Sequence, residues 1–271
     1  MLLYNGHLMQ EQALRLPLSN RAFQYNDGFF ETLIVQQGRI RFWQHHVARM
    51  QDAAAALQIR LFDQLAPAAL EQQLLTLAGQ NKAEKYGRLK LKVWRDGAGL
   101  YTPQTDEAAW LATAEATTPA DVSPLQVGLC RRTTTLPSSF SHFKGPNALV
   151  YVQAAREKAG TTYNDMLLLS PEGAVAELIS SNIFWLQQNT LFTPSLTTGC
   201  VNGILRRAIM QWASEKRVDV VECQIGLAEL SEEATVFAAN VTGFRWVPAI
   251  SGQAYGQQHP LLDQLQQDLF Q

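Results

Sequence analysis

Apolar and polar positions along the chain fall into stretches of two distinct periods. Leu2 to Leu8 alternates around Asn5-Gly6, a tight-turn dipeptide, and predicts an opening hairpin. Phe29 to Val35 has the aromatic and β-branched content of a buried strand, and Gly28 before it suits a turn or a close backbone approach. Gly38 turns into a partner strand over 39–42. Val47, Met50, Ala54 and Leu57 recur at helical spacing, so 44–57 is an amphipathic helix, and 65–77 is a second. In 87–94, Arg88, Lys90 and Lys92 alternate with Leu89, Leu91 and Val93, the pattern of a strand with one wet face.

A strand over 108–114 precedes the run Glu115 to Pro124, whose Thr, Ser and Pro content marks the best linker in the chain. Two domains are expected, 1–116 and 125–271, joined through 117–124. The second half alternates strands (125–131, 166–170, 175–178, 183–186, 218–223, 235–239, 245–250) with helices (148–159, after Gly203 to about 215, and 261–270). The fold class read from this is α/β, with no internal repeat.

Composition narrows the functions. The chain has 271 residues, 46% of them hydrophobic, enough for a large core. A net charge of -2 with interspersed signs gives no footprint for nucleic acid or an anionic membrane. Cys130, Cys200 and Cys223 are widely spaced, which suggests neither a disulfide framework nor a metal site and fits a reducing cytoplasm. Met1-Leu2-Leu3 runs at once into Tyr4-Asn5-Gly6-His7, so no export signal and no membrane span are expected.

Candidate chemistry starts at Lys144, the only lysine between Lys92 and Lys158, at the junction of a Ser/Thr/Pro-rich loop and a helix. A lysine amine attacks carbonyls only when neutral, which burial or a nearby cation promotes. On spacing alone, such a lysine reads as a solvated surface residue. His46 and Arg49, three apart on one helix, read either as a solvated stripe or as a cationic fork aimed at a phosphate or carboxylate. Asn202 or Gly203 would open a helix whose free N–H groups attract anions, and an ordinary Asn202 N-cap explains the pattern as well. The loop from Arg95 to Gly99 lacks both dinucleotide and P-loop spacing and reads as a turn.

Taken together, these residues resemble the fold type IV pyridoxal-phosphate (PLP) enzymes: branched-chain and D-amino-acid aminotransferases and aminodeoxychorismate lyases. The matching stretches are Tyr4-Asn5-Gly6-His7, Asp27-Gly28-Phe29-Phe30-Glu31-Thr32, His46-Val47-Ala48-Arg49, Lys144 with Asn147, Glu177 with Ser181-Asn182-Ile183-Phe184, Thr193-Pro194 and Gly203-Ile204-Leu205-Arg206. They occur in the family's order over nearly the whole chain. The resemblance implies the two-domain D-amino-acid aminotransferase-like architecture, with Lys144 in the C-terminal domain forming the Schiff base to the cofactor aldehyde and then moving the substrate's α-proton. It implies that Glu177 faces the pyridine nitrogen, that Arg49 and the amides of Gly203, Ile204 and Leu205 hold the phosphate, and that Asn182, Asn240 and Thr242 line the cofactor site. Some relatives carry a threonine at the position of Leu205, so here backbone amides and Thr242 would carry more of the phosphate. Ordinary turn chemistry explains Asn240 and Thr242 equally well.

Substrate-side residues decide the reaction. The opening Leu3 to His7, the phrase Gly199 to Arg206, and Asn240 with Gly243 look more like aminodeoxychorismate lyases, and Ala148 stands where branched-chain enzymes usually carry a tyrosine. Phe30-Glu31-Thr32 looks more like aminotransferases, and 95–101 lacks both an extra lyase arginine and the Arg-x-His trap of D-amino-acid aminotransferases. Glu31 and Arg95 are the candidates on the substrate side, structural ion pairing being the alternative for Arg95. The expectation is a lyase that forms p-aminobenzoate and pyruvate, with a transaminase as the alternative and a non-catalytic PLP-binding scaffold as a third reading. The partner expected is a small amino substrate, and the family resemblance implies a homodimer.

Overall fold

The computed structural model describes residues 1–61 and 65–270. The chain forms two compact units, Met1–Pro119 with Phe143–Pro146, and Ala120–His142 with Asn147–Gln271.

The first unit holds strands β1 (Leu2–Tyr4), β2 (His7–Met9), β3 (Gly28–Gln36), β4 (Arg39–Ile40), β5 (Tyr86–Arg95) and β6 (Ala108–Ala116), and helices α1 (Arg21–Tyr25), α2 (Trp43–Leu57) and α3 (Pro67–Gln80). Its antiparallel sheet runs β2-β1-β6-β5-β3-β4. Strand side chains alternate between faces, so Phe29, Leu33 and Val35 with Leu89, Leu91 and Val93 turn to one side, where Val47, Met50 and Ala54 of α2 and Leu70, Leu74 and Leu77 of α3 close over them. The basic residues of β5 take the other face. The short helix α1 is not legible as a periodic segment; Asn20 makes it, accepting the N–H groups of Ala22 and Phe23 at 3.0 and 3.3 Å, and Asn26 ends it at φ 51°.

The second unit contains β7 (Gln126–Leu129), α4 (Ala148–Lys158), β8 (Asp165–Leu169), β9 (Val175–Leu178), β10 (Asn182–Gln187), β11 (Thr190–Pro194), α5 (Ile204–Lys216), β12 (Asp219–Cys223), β13 (Thr235–Asn240), β14 (Gly243–Trp246), β15 (Ala249–Ile250), β16 (Gln253–Ala254) and α6 (Pro260–Phe270). Its mixed sheet runs β12-β11-β10-β9-β8-β7-β15-β16, with β13 joining β10 to β14. The single strand expected over 245–250 is two, because Pro248 has no N–H to extend a ladder and the chain changes partner there, from β13 to β7. No helix among the described residues is long and apolar enough to cross a membrane.

One segment departs from the two-halves reading. Residues 143–146, expected with the C-terminal half, belong to the first unit. Phe143 packs edge-on to Phe29 with ring centroids 6.3 Å apart, and the Phe30 N–H donates to the Lys144 carbonyl at 2.9 Å. Asn26 Nδ2 donates to the Gly145 carbonyl at 2.9 Å. Gly145 sits at φ +154°, and a Cβ there would lie 2.6 Å from the Gly28 carbonyl oxygen. Gly28 is equally confined, its Cβ position falling 2.2 Å from the Val93 carbonyl oxygen.

Arg95 is an internal staple. Its guanidinium donates to Asp27 Oδ2 at 3.0 Å, to Asp106, and to the carbonyls of Leu57 and Gln58 that end α2. A helix C-terminus leaves such carbonyls without intrahelical donors, and a buried cation satisfies them.

Two stability tests follow from these contacts. Gly145→Ala should lower the unfolding free energy by about 1–3 kcal/mol in a denaturant titration, since it adds both strain and a clash, whereas Gly160→Ala, with no neighbour nearer than 3.7 Å, should be near neutral. Arg95→Met should cost about 3 kcal/mol, the low end for a broken buried pair because Arg21 still holds Asp27 at 2.7 Å. A neutral Arg95→Met would mean that the staple is ornamental.

Candidate active site

In the first unit, the Lys144 backbone lies against β3, and Lys144 is half-buried rather than a solvated loop residue. The next residue along the strand, Glu31, is 1% exposed. Arg49 grips it with two prongs, Nε to Oε1 at 2.8 Å and Nη2 to Oε2 at 2.6 Å, and His46 Nδ1 meets Oε2 at 2.6 Å. Helical spacing puts His46 and Arg49 on one face of α2, and that face is turned inward, which overturns the solvated-stripe reading.

The charges in this cluster follow from its burial. Desolvation alone would raise the Glu31 carboxyl, but the Arg49 guanidinium and His46 overcome it and hold Glu31 down at about 2. Burial pushes His46 below its ordinary value; Glu31 opposes this, while the cations Arg49 and Lys144 add to it. A neutral ring that donates from Nδ1 to an ionised carboxylate has its lone pair on Nε2, and that atom is buried without a hydrogen-bond partner among the described residues.

The two substrate-side candidates are both engaged in ion pairs. Glu31 has both oxygens engaged by Arg49 and His46. Arg95 is 7% exposed and spent on Asp27, Asp106 and the end of α2, so structural pairing is its role. Neither fact was legible in spacing, because the partners lie far along the chain.

In the second unit, Glu177 lies on β9, 3% exposed, which excludes a surface acid at a strand end. It accepts from the Tyr151 hydroxyl at 2.7 Å and from the Val201 N–H at 3.2 Å to each oxygen. Burial and the neighbouring Glu177 push the Tyr151 hydroxyl far above its ordinary value, so it remains a donor. Tyr151 was missed from sequence; the one available signal is its place on α4, one turn beyond Asn147.

Asn182, opposite Glu177 in the β9/β10 ladder, donates from Nδ2 to the Val201 carbonyl at 2.7 Å. A Cβ on Gly203 would lie 2.0 Å from Asn182 Oδ1, so only glycine fits there. Gly203, not Asn202, is the N-cap of α5, and no side chain among the described residues caps that end. Ile204 and Leu205 bury their side chains and leave their first-turn amides to an anion. Asn240 and Thr242 form a local turn: Asn240 Oδ1 accepts the Thr242 N–H at 2.8 Å and its hydroxyl, while Asn240 Nδ2 donates to Ser181 Oγ at 2.9 Å. The Thr242 hydroxyl proton, expected at a phosphate, is therefore engaged within its own loop.

The first unit thus holds a buried arginine and a half-buried lysine, and the second holds a buried carboxylate and a helix that starts at a glycine. The family model for amino-transferase class IV matches residues 28–250. An aminodeoxychorismate lyase of Vibrio harveyi is 28% identical over 231 residues, 83% of each chain, and a D-alanine aminotransferase of Bacillus licheniformis is 28% identical over 268 residues, 95% of this chain and 91% of that one. Among solved structures, the 4-amino-4-deoxychorismate lyase of Pseudomonas aeruginosa superposes with a TM-score of 0.85 at 26% identity over 99% of both chains. The mixed α/β architecture is that of the fold type IV PLP enzymes. With well over half of its length matched by one family description, the chain belongs to the amino-transferase class IV family, whose members are PLP-dependent enzymes.

Proposed function

We propose that this chain binds PLP through Lys144 and acts as a lyase on 4-amino-4-deoxychorismate, releasing p-aminobenzoate and pyruvate. The observation that carries the reading is the seating of the Lys144 backbone on β3, beside the buried cluster of Glu31, Arg49 and His46. The residues fit the cofactor: the uncapped start of α5, where a side chain at 203 would collide with Asn182, suits a phosphate, and so does the Arg49 guanidinium. When bound, PLP supplies an electron sink for the charge left on the amine-bearing carbon.

The protein's own residues do the rest. Lys144 would hold the cofactor through its amine and would take the proton from the amine-bearing carbon of the substrate. Glu177, held by Tyr151 and the Val201 amide, would supply the negative charge that favours a protonated cofactor ring. Glu31 keeps Arg49 oriented, so the bidentate pair fixes a guanidinium edge in place. In the substrate, loss of that proton expels the enolpyruvyl group from the adjacent ring carbon, the ring becomes aromatic, and the released enol takes up a proton to become pyruvate.

The lyase reading is supported by the match to a lyase structure over 99% of both chains, and Ala148 disfavours the branched-chain enzymes. A D-amino-acid transaminase is the second reading, favoured by Phe30-Glu31-Thr32 and by the 95% of this chain that aligns with a D-alanine aminotransferase. Free Cys130, Cys200 and Cys223 fit the cytoplasm, and we take the active form to be a homodimer.

Two experiments test the proposal. Borohydride reduction of the holoenzyme and peptide mapping should place the cofactor on Lys144, and Lys144→Ala should be colourless and slower by at least ~10²-fold; cofactor fixed elsewhere defeats the assignment. Separate incubations with aminodeoxychorismate, and with D- or L-amino acids plus an oxo acid, should yield p-aminobenzoate and pyruvate only in the first. Oxo acids formed from amino acids, with no p-aminobenzoate, would establish the transaminase.

A further inference from the structure

Glu31 and Glu177 are both buried carboxylates, and they are stabilised in different ways. Glu31 is met by the Arg49 guanidinium, whereas Glu177 accepts from two neutral dipoles, the Tyr151 hydroxyl at 2.7 Å and the Val201 N–H at 3.2 Å to each oxygen. A cation cancels most of a carboxylate's charge. A neutral donor stabilises the anion and leaves its charge to act on a neighbour.

The three groups come from three elements of the second unit. Tyr151 lies in the first turn of α4, Glu177 on β9, and Val201 in the stretch that leads into α5. Val201 is fixed on both sides, since its carbonyl also accepts from Asn182 Nδ2 at 2.7 Å. Packing alone does not require a hydroxyl on α4, because phenylalanine would fill the same space.

Neighbouring titratable groups do not compete with this hydroxyl. Burial, reinforced by the Glu177 charge, pushes the Cys200 thiol up to about 12, so it stays neutral. Arg206, on the far side of Cys200, is paired with Glu222. Burial and Glu177 likewise keep the Tyr151 proton on its oxygen. A hydrogen bond donated to a carboxylate favours its charged form over its acid form, so a proton shared between Glu177 and a basic ring nitrogen is biased toward the nitrogen.

We infer that Tyr151 is a positioning residue that acts through Glu177: its hydroxyl keeps the shared proton on the ring nitrogen of the cofactor. It thereby sets how strongly the ring draws electrons from the substrate. This rests on the proposed reading of Glu177 as the partner of that nitrogen.

The test is nitrogen NMR of holoenzyme loaded with PLP isotopically labelled at the ring nitrogen, whose resonance differs widely between protonated and unprotonated pyridine. Wild type should give the protonated position. Tyr151→Phe should move the resonance toward the unprotonated one, with the proton's partition changed roughly tenfold, the worth of one hydrogen bond to a charged group. In the same space 3-fluorotyrosine, a stronger donor, should shift the partition the other way. Glu177→Gln should move the resonance further than Tyr151→Phe does, and combining the two should add nothing. A resonance unchanged by both replacements of Tyr151, while Glu177→Gln shifts it, overturns the inference and leaves the Glu177 reading standing. A resonance unchanged by Glu177→Gln defeats that reading and the inference with it.

Discussion

The first unit is organised around five consecutive residues of one strand, each committed by the alternation of a β-ladder. Gly28 lets two backbones approach, Phe29 packs on Phe143, and the Phe30 amide holds the Lys144 carbonyl. Glu31 binds Arg49 and His46, and Thr32 reaches the open face. A one-residue slip of register would exchange the two faces and undo all of these at once. The strand is paired along its whole length with β5, which fixes that register.

Burying Glu31 is costly by itself, and the energy balance explains why Arg49 and His46 accompany it. An isolated carboxylate in the core would take up a proton; the bidentate guanidinium and the imidazole donor reverse that tendency and keep it ionised. The carboxylate in turn fixes the imidazole tautomer and the guanidinium plane. The result is a rigid cationic edge beside Lys144, which a flexible surface arginine would not provide.

The second unit uses the same economy with different groups. Glu177 is buried on a strand and held by one hydroxyl and one amide, while Gly203 and Asn182 share a space too small for another side chain. Leu205, read as a loss of a phosphate hydroxyl, has its side chain in the core and contributes only its backbone. Thr242, the expected substitute, is turned to Asn240. What this unit leaves open to an anion under the proposed function is the start of α5, which no side chain among the described residues caps.

The sequence by itself determined the strands and helices whose periods are regular, such as β3, β5 and α2, and the glycine positions, because side-chain alternation and steric exclusion are local. It also indicated the order of family stretches from Tyr4 to Arg206. Only the tertiary structure decided which polar residues are spent: Arg95 looked available for a substrate until Asp27, Asp106 and the end of α2 were seen to occupy it, and Glu31 until Arg49 and His46 were. It alone placed 143–146 with the first unit and set Tyr151 against Glu177. Those outcomes depend on partners from 11 to more than 100 positions away, and local pattern carries no information about contacts that chain folding, rather than chain order, creates.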